Sequence, residues 1–361
     1  MILIGTINRY IARRFLATIS AIVLGVILLI VIIDFVEQYR KFGDRPDFTG
    51  WTSMKLAGMH TPAIIEQLMP FILLFGTIIC LLGLSRRFEL VVARASGLSV
   101  WRFLSAPLAI AVLVGVASST LLNPLATRLT NDAEELESGL RSSKSRHGDT
   151  GFWLRQSSQN GSSIMHAAGA SKRGQVLSGV RVFVFDHNGR FSEKIDADRA
   201  VYQNKSWRLE AALIAAKGEP PLTVDTFILP TRLSRKDVRD SLTLPENLSF
   251  WDLPDFIDTA RQTGVNTDRF LQAYHQHLAR PIFLVAMVII AATVSLRLTR
   301  YGGTGKLVLT GIAAGFLLYV VTEVISDLGG NGILSPALSA WAPGIIALTF
   351  GATVLLYQED G

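Results

Sequence analysis

The chain has 361 residues, 49% of them hydrophobic, and a formal net charge of +6 from 35 Lys and Arg against 29 Asp and Glu. The surplus charge sits beside apolar runs, with no dense basic patch interleaved with aromatics. That excludes nucleic acid as a partner and points to anionic lipid or phosphate. The single cysteine, Cys80, lies inside an apolar run, so no intrachain disulfide can form.

Uncharged, mostly apolar runs at 15–33, 67–85 and 103–127 open the chain, and others at 281–296, 307–322 and 338–357 close it. Their lengths predict six membrane-spanning helices. Arg9, Arg13 and Arg14 precede the first run as they would in a signal peptide. The run is longer than a signal core and no small-x-small cleavage site follows, so an uncleaved span is expected. Pro70 predicts a kink in the second. The fourth and fifth runs hold only sixteen residues each, and Arg280 and Arg297 are expected to extend their charged tips to the interface. The N-terminal tail and the links 85–102 and 297–306 together hold ten Lys or Arg, whereas the four of loop 34–62 are balanced by four acids. The positive-inside rule then places both termini and those links in the cytoplasm, and the region after the third span in the periplasm.

That middle region opens on a polar helical stretch, 131–140, and turns to a β pattern between 152 and 233. Trp207, Leu209, Ala211 and Leu213 alternate with Arg208, Glu210 and Ala212, the period of a half-buried strand. The stretch 180–185 reads as a strand near a core, and Asn188-Gly189 as a tight hairpin. Further strands are expected at 152–155, 163–168, 200–203 and 222–229. Seven or eight short strands predict a sandwich, a jelly roll or an open barrel. Two amphipathic helices, 251–263 and 267–278, lead back to the fourth span. The expected fold is a membrane α-helical protein of six transmembrane helices with an inserted all-β domain. Its units would be 1–127 for spans one to three, 128–265 for the β-domain and 266–361 for spans four to six.

Between spans two and three, Phe88, Val91, Val92 and Ala95 recur at the spacing of one helix face, and Arg86, Arg87, Glu89 and Arg94 fall mainly on the rest of the arc. Gly97 can end that helix in a left-handed conformation and Ser99 can cap the next. Periodicity alone allows an ordinary interfacial link or a surface lever for a soluble partner. The wording Arg86-x-x-Glu-Leu-Val-Val-x-x-Ala-Ser-Gly97 resembles the coupling segment of the lipopolysaccharide-export ABC transporter permeases, and the order of elements along the chain resembles that family too. The resemblance implies a periplasmic β-jellyroll with an apolar interior and an inner-membrane location. It makes Glu89 face a cytoplasmic ATPase, with Arg86, Phe88, Val91, Val92, Ala95 and Gly97 forming the rest of the coupling surface. It also implies two ATPase subunits, a second, F-type permease subunit, a bridge protein of similar β-domains, and lipopolysaccharide as cargo.

The resemblance suggests two further sites. Arg40 and Lys41, just past the first span, match a basic pair that would meet lipid phosphates; as residues alone they read equally as interfacial anchors. Asp34 departs from the family pattern, where some members carry lysine. In span five, Ile312, Phe316 and Tyr319 share a face with Glu323 beside Gly311-x-x-x-Gly315. That face is either a packing or lipid-facing surface or, by resemblance, one wall of an acyl-chain cavity. The stretch after span one and the 315–321 segment look more like the G-type subunit than the F-type.

Enzyme chemistry has no foothold. Gly302-Gly303-Thr304-Gly305-Lys306 lacks the first glycine and the final Ser or Thr of a phosphate loop, so no nucleotide cofactor is expected in this chain; ATP and Mg would belong to the partner ATPase. His275 and His277 point to different helix faces, against a metal site. Two rivals remain: a transporter driven by an ion gradient, which would want acids or histidines at mid-membrane where the uncharged runs hold none, and a membrane-anchored sensor, which needs fewer spans and a cytoplasmic output domain.

Overall fold

The computed structural model describes residues 2–43, 45, 48–89, 92, 97, 99–140, 152–158, 161–171, 176–186, 190–203, 205–216, 220–231, 245–262, 266–296 and 304–360. Six helices or helix runs among them are long and apolar enough to cross a membrane. Helix α1 spans Ile2–Phe42 and α2 spans Gly50–Arg86, capped by the Thr49 hydroxyl, which accepts from Thr52 N. The third span is composite: α3 (Val100–Ala117), a π-helical turn (Ser118–Leu122) and α4 (Asn123–Leu140). The fourth to sixth spans are α6 (Asp268–Ser295), α7 (Thr304–Gly330) and α8 (Pro336–Asp360). A short helix α5 (Leu253–Gln262) precedes them.

Spans four and five are therefore not short. At 28 and 27 residues they are each about 40 Å long. The amphipathic stretch expected before span four is its own first turns, continuous through Pro281. That proline has no N–H, which leaves the His277 carbonyl without its usual helical donor. Ser119 Oγ, in the π turn of the third span, donates to it at 2.7 Å, so the broken helical bond becomes a bond between spans.

Span four is the hub, packing against α2, α3, α7 and α8. Lipid tails are as apolar as leucine, so close van der Waals fit drives this packing. Gly115 of α3 lies over Pro281, where an added Cβ would stand 2.5 Å from the proline Cα. Gly315 of α7 lies under the Leu74 side chain of α2. In the hydrophobic windows of spans one and five only 11% of residues are buried, against 56% and 50% for spans two and four. Spans one and five thus present most of their apolar surface outward.

The chain divides into a helical unit (1–130, 245–261 and 266–361) and a second unit (131–244 and 262–265). Residues 245–261, expected within the β-domain, belong to the helical unit. Phe250 stacks on Tyr274 at 5.7 Å, and its N–H donates to Asn123 Oδ1 at 2.8 Å. Trp251 Nε1 donates to Thr120 O.

The second unit contains one antiparallel sheet with its six strands in sequential order: β1 (Phe152–Ser158), β2 (Gly161–Ser171), β3 (Val176–Phe185), β4 (Phe191–Gln203), β5 (Ser206–Ala216) and β6 (Leu222–Pro230). Among the described residues this connectivity is a meander of six long strands, in place of the seven or eight short ones expected. One face gathers Met165, Leu177, Val182, Ile195, Trp207 and Leu209, all fully buried. These side chains form one buried apolar cluster, the apolar side that the jellyroll-like expectation required. The alternation in β5 breaks at Ala211, whose φ of 55° lies in the left-handed region. Pairing with β6 skips that residue and its opposite number together, so the register holds while Ala212 turns inward and Leu213 outward, the reverse of the expected order. The Asn188-Gly189 hairpin lies outside the described residues, although Asp186 N and Arg190 O close its neck at 2.9 Å.

Candidate functional site

The link between spans two and three begins abruptly. Helix α2 ends at Arg86 with Arg87 as its cap, and Phe88 then adopts a left-handed φ of 57°. Phe88 therefore sits at a break between helices, where periodicity had placed it on the helix face. A new turn starts at Glu89, and Val92 N donates to Phe88 O at 3.0 Å. Gly97 has a φ of +80°, and Ser99 Oγ accepts from Trp101 N, as their sequence roles predicted. Val91 and Ala95 lie outside the described residues. Phe88 is 71% exposed and Val92 67% exposed, so two apolar side chains flank Glu89 without cover from their own chain.

Glu89 pairs across to span one, with no bond to its neighbour Arg86. Arg14 Nη1 donates to both carboxylate oxygens, at 3.1 and 3.2 Å, and to Tyr10 Oη at 3.0 Å. The pairing is invisible to local spacing because the partners are 75 residues apart.

At the other end of span one, Arg40 and Lys41 occupy the last turn of α1, both exposed. Lys41 Nζ lies 2.6 Å from Glu37 on a wet surface, a pair weak enough for a better anion to replace. Asp34 receives a hydrogen bond from His60 Nδ1 of α2 at 2.9 Å. The acid that departs from the family pattern thus joins spans one and two.

The expected wall of span five is divided. Ile312 and Tyr319 pack with Leu74 and Ile78 of α2 and Met287 of α6, and the Tyr319 ring lies 4.9 Å from Phe71. They hold the helices together. Phe316 is 57% exposed and is the member of the trio that faces outward. Thr304, Gly305 and Lys306 form the first turn of α7, and the two glycines before them lie outside the described residues.

A cluster that sequence reasoning missed joins spans two, three and four. Glu66 of α2, its side chain only 8% exposed, is paired with Arg280 of α6. Asn123 Nδ2 donates to both Glu66 oxygens at 3.3 Å, and Arg280 Nη1 also donates to Ser118 Oγ at 3.2 Å. His277 Nδ1 lies 3.8 Å from Glu66 Oε1. Arg280 therefore turns inward to an acid, contrary to its expected extension to the interface. The helical unit does contain a buried acid and a histidine, just beyond the uncharged runs where none was found. The available signal was a carboxylate and an arginine that flank two different apolar runs.

Six spans, an exposed turn between two of them and an inserted sheet with a buried apolar cluster describe a membrane-embedded transport subunit. Comparison with known proteins sharpens that class. Residues 9–357 match the family model of the lipopolysaccharide export system permease LptF/LptG, and the chain belongs to that family. It is 25% identical over 349 residues to the lipopolysaccharide export system permease protein LptG of Haemophilus influenzae, covering 90% of this chain and 91% of that protein. The protein of the same name from Escherichia coli K12 is 23% identical over 356 residues, 94% of each chain.

Proposed function

We propose that this chain is the G-type permease subunit of an inner-membrane ABC transporter that lifts lipopolysaccharide from the outer leaflet. It pairs with an F-type permease, is driven by two cytoplasmic ATPase subunits that carry the ATP and Mg, and delivers lipid through its periplasmic β-domain to a bridge protein. Both termini are cytoplasmic. The work of this chain is binding, squeezing and release, with no covalent step of its own.

The observation that carries the reading is the exposed Phe88–Glu89–Val92 turn. Apolar side chains beside a carboxylate at a membrane surface suit a soluble partner with a greasy, cationic groove. Because Glu89 also holds Arg14, motion of that turn reaches span one as well as spans two and three. The outward apolar surfaces of spans one and five, with Phe316 among them, suit a cavity completed by the partner permease.

Three results are expected. Glu89→Ala should fold and insert normally, and lipid release should fall more than basal ATP hydrolysis; the lost contact is worth about 1–3 kcal/mol when desolvated. Val92→Asp should lower the yield of complex further, because it desolvates a charge against the docked partner. Copurification and coupled release assays read both, and normal values for both variants would reduce the turn to a link between spans. At the opposite end, Arg40→Glu with Lys41→Glu should weaken photocrosslinking of lipopolysaccharide to span one while the complex stays assembled, since two carboxylates then face the phosphates. Unchanged crosslinking would return the pair to anchoring. For topology, Arg190→Cys should react with an impermeant thiol reagent from the periplasm and Gly305→Cys should not; the reverse pattern would invert the assignment.

A further inference from the structure

Two clefts meet at Arg14. One, of about 510 Å³, is lined by Thr6, Arg9, Tyr10, Arg13, Arg14 and Arg87. The other, of about 480 Å³, runs along Ala17, Thr18, Ala21 and Ile22 of α1 and Ile79 of α2, again with Arg14 at its end. The first is a basic pocket and the second an apolar groove. Their shared wall stands immediately before Phe15, where nineteen uncharged residues begin, so the seam lies at the height of lipid head groups.

Helical spacing explains the basic pocket. Arg9 and Arg13 are one turn apart on α1, an arrangement of like charges that costs stability unless an anion offsets it. Arg87, at the cap of α2, brings another guanidinium from the second helix. Among the described residues the carboxylate that reaches this group is Glu89, and it is on Arg14. Arg9, Arg13 and Arg87 are exposed. Guanidinium forks bind phosphate oxygens in charge-assisted pairs. Below them, the small side chains of Ala17 and Ala21 leave room along span one for a hydrocarbon chain.

We infer that this seam binds an anionic phospholipid of the cytoplasmic leaflet, its phosphodiester among Arg9, Arg13, Arg14 and Arg87 and one acyl chain along the Ala17–Ala21–Ile79 groove. The cytoplasmic placement rests on the topology proposed above; the head-and-tail pairing of the clefts does not. A free phosphate would use the pocket and leave the groove empty, so the groove selects the lipid. Since Arg14 also holds Glu89, the lipid head sits beside the coupling turn.

The test uses the full chain with its copurified partners in nanodiscs of phosphatidylethanolamine with a minor fraction of phosphatidylglycerol, and native mass spectrometry to read retained lipid. Arg9→Gln with Arg13→Gln should lower phosphatidylglycerol retention about thirtyfold, as two lost surface cations imply. Ala17→Phe with Ala21→Phe should lower it with every arginine in place, which also answers any doubt about folding of the first variant. Excess inorganic phosphate should not displace the lipid. Unchanged retention in either variant, equal retention of phosphatidylethanolamine, or displacement by inorganic phosphate would overturn the inference. So would a lipid signal that exists only when the ATPase subunits are stripped away, because the cleft would then belong to the protein interface.

Discussion

Glu66→Ala should destabilise the helical unit by about 3–5 kcal/mol, the cost of leaving a largely buried charge without its partner. Arg280 is only 23% exposed in its side chain, and Asn123 would lose an acceptor at the same time. The prediction is specific because removing both charges should not carry the same cost. Glu66→Leu combined with Arg280→Met should recover most of the loss, since apolar replacements of a buried pair are often neutral. Thermal unfolding in detergent, read for Glu66→Leu, for Arg280→Met and for the double, gives the interaction directly. Equal losses in the single and double variants would mean that the pair is not the joint between spans two and four.

Gly115→Leu is expected to be nearly as damaging, about 3 kcal/mol or more, because it overpacks a contact between helix backbones. The atom in the way is the Cα of Pro281, part of a backbone that cannot swing aside like a flexible side chain. Separating α3 from α6 would also pull Ser119 from the His277 carbonyl, which has no other helical donor. Gly58→Ala in α2 supplies the contrast. Nothing lies within 4 Å of its added Cβ, and alanine is the better helix former, so stability should hold or rise slightly. A similar loss at both glycines would point to general helix sensitivity in place of a close approach.

Much of this architecture was legible because its signals are local. An apolar run of the right length announces a span, Gly97 and Ser99 announce their caps, and the six strand patterns fall where the sheet's strands lie. What stayed hidden depends on partners distant in sequence. Glu66 and Arg280 are 214 residues apart, and each looked like a residue at the edge of an apolar run. Asp34 looked like a defect until His60 was found beside it. Ala211 fitted its alternation, yet its left-handed backbone breaks the pattern and the later side chains exchange faces. Spans four and five looked short because apolar run length undercounts a helix whose outer turns are polar. At the link between spans two and three the motif located Glu89, but only the fold reveals that Arg14 carries its charge into span one.

The central claim is that this chain supplies part of an ATP-driven exit path for lipopolysaccharide. Its most direct test is lipid transfer from proteoliposomes that contain this chain, its partner permease and the ATPase subunits, scored by crosslinking of the lipid to a bridge-type acceptor domain. Transfer should require ATP, should stop when this chain is omitted, and should ignore an imposed proton gradient. Transfer that proceeds without ATP, follows the gradient, or continues in the absence of this chain would contradict the account.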